Sequence, residues 1–342
     1  MSTLNKKCNF DLNKIVMRRI ILLIGIMFCA SLVKAQSRLL VVVQQERDSI
    51  AIFNLENNQR LVQLPVGYKP HEICYDPATR KCFITDFGLE DYDHKAGKTG
   101  NGFHVIDPFS GRIVGKVYTC ADTAKGNGPH GIKMRPGKSG ELFVNAEIGG
   151  DTMLVYNAAK LHLKRKFGLP KGSHNFSFSA KGDTLWLMAG QNGVFQLDPE
   201  NGAILRHTLF PSPIRGLSIG SNWLVASGFN EVFVLSKTDL SILKHFPNLG
   251  VGQLFYSNIS PDQRFIISPA ALDNVVVIID AANGKVVKRL TTGKTPINVQ
   301  VSGKYAYVSQ DKDNAIGVIN LDTFEVTQGP TVYGTNGIIV IE

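Results

Sequence analysis

The chain has no CxxCH motif and no CxxC pair among its five cysteines in 342 residues. That excludes covalently attached c-type haem, a zinc ribbon and a thioredoxin-like redox centre. It has few stretches with the 3.6-residue apolar period of a helix, which argues against a bundle or an α/β layer fold. It has no long run of Lys and Arg, so nucleic acid is not an expected partner. No nucleophile motif of a hydrolase stands out. No apolar run reaches the roughly 20 residues that a membrane-spanning helix needs.

What is present begins at the N-terminus. Met17-Arg18-Arg19 precedes IILLIGIMFCA, an apolar run of eleven residues, and SLVKAQ follows. A basic start, a short apolar core and small residues at a cut site describe a secretory signal peptide. The expected leader is residues 1–35, cleaved after Ala35, with Met17 as an alternative start. Residues 36–342 are then one exported domain in the periplasm or the external medium, not transmembrane after cleavage. Cys29 as a lipid-anchor site is disfavoured by the bulky Met27 and Phe28 before it.

The leader carries six of the 37 basic side chains and one of the 28 acidic ones. Removing it leaves 31 and 27, a net charge of +4 rather than +9. Cys74, Cys82 and Cys120 remain. An oxidising compartment permits a disulfide, and Cys74 and Cys82 flank a short turn. A bridge across that hairpin is open to them, although neighbouring strands often hold cysteines in poor geometry for it.

The rest is a succession of β-branched and aromatic runs separated by Gly, Asn, Asp and Pro, and it repeats. VFQLDPENGAILRHTL, VVIIDAANGKVVKRLT and FHVIDPFSGRIVGKVY share an Asp that opens a turn and a Gly that closes it, the chemistry of a hairpin. Four weaker copies bring the hairpins to seven. Before most of them comes a second element, a turn and an apolar strand, as in KPHEICYDPATRKCFIT, GPHGIKMRPGKSGELFVN and GSHNFSFSAKGDTLWLM. The equivalent starting positions are His71, His130, His174, Arg215, Phe255, Ile297 and Asn336, spaced by 59, 44, 41, 40, 42 and 39 residues. The seventh copy is split: TNGIIVIE ends the chain and LLVVVQQ begins the repeats. Four strands per unit, seven units and a split unit predict an all-β, seven-bladed β-propeller. Its ring is closed by pairing the first and last strands.

YAYVSQDKDNAIGVINLDTFEV and FIISPAALDNVVVIIDAANGKVVKRLTTGKTP resemble the YVTN-repeat β-propellers, whose units run YVTN, then N-T-V-S-V-I-D, a hairpin and G-x-x-P. The resemblance spans residues 36–342. It is strongest in the last two blades and weakest in the fourth. It implies the propeller fold, which serves variously as a binding module, a lactonase, a lyase or a subunit beside a redox partner.

In such a ring the inner strand of each blade lines a central channel. His71, His130, His174 and Arg215 open four consecutive inner strands and are expected around one mouth. The loops on the same face carry Asp86, Asn145, Glu147, Gln191, Asn230, Asp311 and Glu46. The long first spacing comes from an insertion in blade one, TDFGLEDYDHKAGKTGNGFHV, whose Glu90, Asp91, Asp93 and His94 would form a flap over that mouth. A histidine in such a turn can serve only to hold a neighbouring backbone. Three histidines and an arginine at equivalent positions exceed what the turn needs, since Phe255, Ile297 and Asn336 fill it elsewhere.

The mouth is therefore the expected ligand site, lined by His71, His130, His174, Arg215, Asp86, Asn145 and Glu147. Arg215 favours a small anionic ligand; a protein partner is the alternative. A divalent metal is open to His71, His130 and His174 if their side chains converge, because starting positions around a channel stand far apart. His130 with Glu147 resembles the pair that propeller lyases acting on cyclic antibiotics use with magnesium. That resemblance implies His130 as a base, Glu147 and Asp86 handling metal or protons, and His71 and His174 orienting substrate. The ligand set of metal-dependent gluconolactonase-type propellers is not recognisable.

Overall fold

A computed structural model of the chain describes residues 38–89, 96–122, 124–138 and 140–342. The expected leader and the flap residues Glu90, Asp91, Asp93 and His94 lie outside the described residues. Residues Arg38–Ile341 form one compact unit. It consists of seven four-stranded antiparallel sheets. Among the described residues there is no α-helix, only two short 3-10 turns, Gln45–Arg47 and Ala271–Asp273. Among the described residues no helix is long and apolar enough to cross a membrane.

The sheets follow the repeats in order. Inner strands are Pro70–Asp76, Pro129–Met134, Asn175–Phe178, Gly216–Ile219, Asn258–Ile259 and Pro296–Ser302 for blades one to six. Blade seven takes its inner strand, Thr335–Ile341, from the end of the chain and its second strand, Leu39–Gln44, from the start. The two pair antiparallel from Leu39 opposite Ile341 to Gln44 opposite Thr335. The predicted closure is therefore present, and it fixes where Asn336 sits. At Gly337 the backbone passes so close to blade one that an added Cβ would lie 2.5 Å from the His71 carbonyl oxygen. Only glycine fits the seam there without moving one of the two strands.

The second and third strands of each blade are the apolar ones. Their alternate side chains pack against the blades on either side, so the core is a ring of inter-blade layers rather than one centre. One such layer joins Val41, Ile50 and Ile52 of blade seven to Ile73, Cys82 and Ile84 of blade one. The next joins Cys74, Phe83 and Val105 to Ile132, Leu142 and Val144 of blade two.

These layers settle the cysteines. Cys74 lies opposite Phe83, and Cys82 lies opposite Tyr75. The two thiols thus point to opposite faces of blade one, and all three cysteines are free. A bridge across this hairpin is excluded by the period-two alternation of the strand. Burial pushes the Cys74 thiol up to about 12 and Cys82 well above its ordinary value, which keeps both unreactive.

Candidate functional site

A recurring irregularity shapes the channel mouth. In blades one, two, six and seven the inner strand carries one extra residue relative to its partner, between Pro70 and Ile73, Pro129 and Ile132, Pro296 and Val299, and Thr335 and Ile338. Such a bulge breaks the strict alternation of faces and re-aims a side chain. In blade one it turns both His71 and Glu72 toward the channel.

His71, His130, His174 and Arg215 line one cavity of about 360 Å3, as the sequence predicts for a shared mouth. Its remaining wall is part charged, with Glu46, Asp311 and Lys312, and part apolar, with Phe87, Leu89, Phe255 and Ile297. Phe87 and Leu89 are the root of the blade-one insertion. Lys312 ties the rim together, 2.9 Å from Asp311 and 3.4 Å from Glu46, while Lys69 holds Glu46 from the other side at 3.0 Å.

The three imidazoles come closer than starting positions around a channel suggest. The His130 ring lies 4.2 Å from His71 and 4.0 Å from His174, centroid to centroid, with the edge of Phe87 at 4.6 Å. Enclosed on all sides, His130 is fully buried. Burial first, and then the neighbouring imidazoles, hold its pKa well below the ordinary histidine value, so the ring is neutral. Its Nδ1 lies 3.0 Å from the His174 carbonyl oxygen, which can only accept. The proton therefore sits on Nδ1 and leaves Nε2 bare.

His174 is fixed in the same way by Glu147, whose Oε1 lies 3.0 Å from Nδ1. The His–Glu pairing expected for His130 belongs more closely to His174, because Glu147 stands 3.5 Å from His130. Glu147 itself reaches a side cavity of about 350 Å3, with Asp151, Lys171 and the exposed Gln191. On its other side His174 stacks on Tyr256, 6.4 Å away and nearly parallel. Burial, with Glu72 and Glu147 nearby, raises the Tyr256 phenol well above its usual pKa, so it stays protonated.

Besides Glu147, two more expected lining residues lie outside the mouth cavity. Asp86 does not reach the cavity: its carboxylate turns across blade one to His104 at 3.0 Å and Lys116 at 3.1 Å. Asn145 is buried, accepting from the Gly131 amide at 2.6 Å and facing Ser173 at 3.4 Å, so it holds the blade-two strand in place. Asn230 is likewise a turn residue, its side chain accepting from the Gly250 and Val251 amides.

The sequence reading also misses residues. Glu72, Asn175 and Tyr256 form a partition across the channel, with a second chamber of about 240 Å3 beyond it. The Asn175 amide donates to Glu72 at 3.2 Å. Each of the three directly follows a starting position already singled out, but an alternating strand would turn it away. Only the bulge or strand start reverses that.

No family model matches the sequence, and no curated protein matches it. Solved structures do resemble the fold. A functionally unknown protein from Desulfotomaculum acetoxidans aligns with a TM-score of 0.67 at 11% identity, over 89% of this chain and 99% of that one. The computationally designed Ika8 protein aligns with a TM-score of 0.62 at 11% identity, over 89% and 87%. The dihydro-heme d1 dehydrogenase NirN, in complex with DHE, aligns with a TM-score of 0.61 at 14% identity, over 88% and 74%. At these identities the likeness concerns the propeller fold alone.

Proposed function

We propose that this is an exported β-propeller of the YVTN type that binds a small anionic molecule at the histidine-lined mouth. One observation carries the reading: side chains from four successive blades line a single cavity of about 360 Å3. That lies within the size range of small-molecule sites. Arg215 supplies hydrogen-bond donors suited to a carboxylate or similar oxyanion, beside the His174 ring on the same wall. Phe255, Ile297 and Phe87 supply an apolar wall for the body of the ligand. A small organic acid matches both. Export is supported by the signal-like leader of residues 1–35.

A thermal-shift panel of organic acids, sugar acids and lactones in chelating buffer tests this. At least one acid is expected to raise the melting temperature in a concentration-dependent way. Arg215→Ala should weaken that ligand about tenfold or more, since a hydrogen bond to a charged group contributes ~1.5–3 kcal/mol. Equal responses from the wild type, Arg215→Ala and His174→Ala would contradict the proposal.

A second reading, lactone hydrolysis or elimination at the same mouth, is favoured by the His174–Glu147 contact of 3.0 Å. A carboxylate behind an imidazole orients it as a general base. In that reading the base is His174, because Glu147 stands 3.0 Å from its Nδ1 but 3.5 Å from His130. Turnover of a lactone from the same panel, lost in His174→Ala, would establish it.

A further inference from the structure

Beneath the mouth lies a group of atoms that the ligand reading does not use. His71, Glu72 and His130 each offer one metal-ligating atom, all within 4.8 Å of one another. His71 Nδ1 and His130 Nε2 are both buried, and neither has a hydrogen-bond partner among the described residues. Buried polar atoms rarely remain so without an ion or a water to satisfy them. Beside them stands the Glu72 carboxylate, also buried. It accepts from Asn175 and faces His71 Nδ1 at 3.8 Å. No lysine or arginine of the described residues comes within ion-pair range of it. A buried carboxylate beside two unpartnered imidazole nitrogens is a cation site by its chemistry.

We propose that His71 Nδ1, His130 Nε2 and Glu72 bind one zinc-like divalent cation at the partition between the two chambers. Two imidazoles and a carboxylate are a known tetrahedral set for this class of ion, with a fourth position left open. Ligand atoms at about 2.0–2.1 Å from such an ion lie roughly 3.4 Å apart. The 3.8 Å between His71 and Glu72 therefore needs only a small side-chain adjustment.

The outer groups are also of the right kind. A ligating histidine usually gives its other N–H to a carbonyl or carboxylate oxygen. His130 does so from Nδ1 to the His174 carbonyl, 3.0 Å away. His71 Nε2 sits 3.0 Å from the Asn336 carboxamide nitrogen, and the carboxamide oxygen is buried without a partner. Turning that carboxamide over, together with the Gln45 carboxamide that accepts from it at 2.8 Å, gives the oxygen the Nε2 proton and bares Nδ1 toward Glu72. The second cluster, His130 with Glu147 and His174, is the weaker candidate, because the His174–Glu147 hydrogen bond already occupies its donors. Glu72 borders the inner chamber and the histidines border the mouth, so an ion can arrive from either side.

The test uses the full mature chain without a histidine tag, stripped with EDTA and titrated with Zn2+ by calorimetry and with Co2+ by visible absorption. One equivalent is expected, with a ligand-field spectrum for cobalt. His71→Ala and Glu72→Gln should each weaken binding tenfold or more. His207→Ala, on the outer strand of blade three, should change it less than twofold. If His71→Ala does not fold, the near-isosteric Glu72→Gln decides alone, with circular dichroism as the check. The proposal is overturned if neither ion binds stoichiometrically or if Glu72→Gln binds as tightly as the wild type. It is equally overturned if binding depends on Glu147 and His174 instead. The anion panel is run in chelator, so failure of the metal site leaves that result standing and the two readings fail separately.

Discussion

Deleting residues 337–342 is expected to unfold the protein at or near physiological temperature, or to lower its melting temperature by roughly 10–20 °C. The deletion removes nearly all of Thr335–Ile341, the inner strand of blade seven, and with it the pairing that holds Leu39–Gln44. Ile338 and Ile341 are buried, and Ile339 and Val340 pack against the layers shared with blades one and six. Each such side chain contributes ~1.5–3 kcal/mol when fully buried. Losing two outright and two in part removes about 5 kcal/mol before the lost ladder hydrogen bonds are counted. Domain stabilities are typically only about 5–15 kcal/mol, and each kcal/mol is worth ~2–4 °C in domains of 150–250 residues. Opening the seam also leaves Leu39–Gln44 as an unprotected apolar edge, so aggregation should accompany the loss. Scanning calorimetry of the truncated chain reads this directly, and an unchanged melting curve would mean that the ring is not closed by this pair.

Glu141→Ala should cost about 3–5 kcal/mol, the usual penalty for removing one partner of a buried charge network. Glu141 opens the second strand of blade two and is itself buried. Its carboxylate takes Arg165 at 2.7 Å, Arg135 at 3.0 Å and Lys164 as well. Arg135 is buried too, and also donates from Nε to the Gly182 carbonyl at 2.6 Å. Without Glu141 this guanidinium is left with Glu200 on the exposed side. The same contacts set a pH dependence. Burial works against ionisation of Glu141, but the hydrogen bonds from Arg165, Lys164 and Arg135 outweigh it and hold the pKa far below 4.5. A depressed carboxyl pKa adds stability that is complete above the unfolded value and lost as pH falls toward the folded one. In urea unfolding the gap between wild type and Glu141→Ala should therefore be widest at neutral pH. It should narrow steadily below about pH 4.5. A gap that stays constant on acidification would show that packing, not charge, accounts for the loss.

The architecture was legible because it rests on repetition. Three hairpins write their Asp and Gly at the same offset, and seven copies with a split seventh leave little choice of fold. The gathering of His71, His130, His174 and Arg215 followed from the same alignment, since equivalent positions in a ring must share a rim. What alignment could not supply was the direction of individual side chains. Asp86 and Asn145 stand at the right height but turn into their own blades, satisfied by Lys116 and by the Gly131 amide. Glu72 was overlooked for the converse reason. Strict alternation assigns it to the face opposite His71, and the extra residue between Pro70 and Ile73 overrules that. Bulges leave no consistent residue type behind, so a period-two reading passes over them. The approach of the His71 and His130 rings has the same origin.

The central claim is that this rim holds a ligand between Arg215 and His174. The most direct measurement is a crystal structure of the protein with the acid that gives the largest thermal shift. Ligand density is predicted inside the mouth, with an oxyanion within hydrogen-bonding distance of the Arg215 guanidinium and the apolar body against Phe255 and Ile297. Density confined to the outer strands, or coordinates in which the four side chains do not share a cavity, would contradict the account.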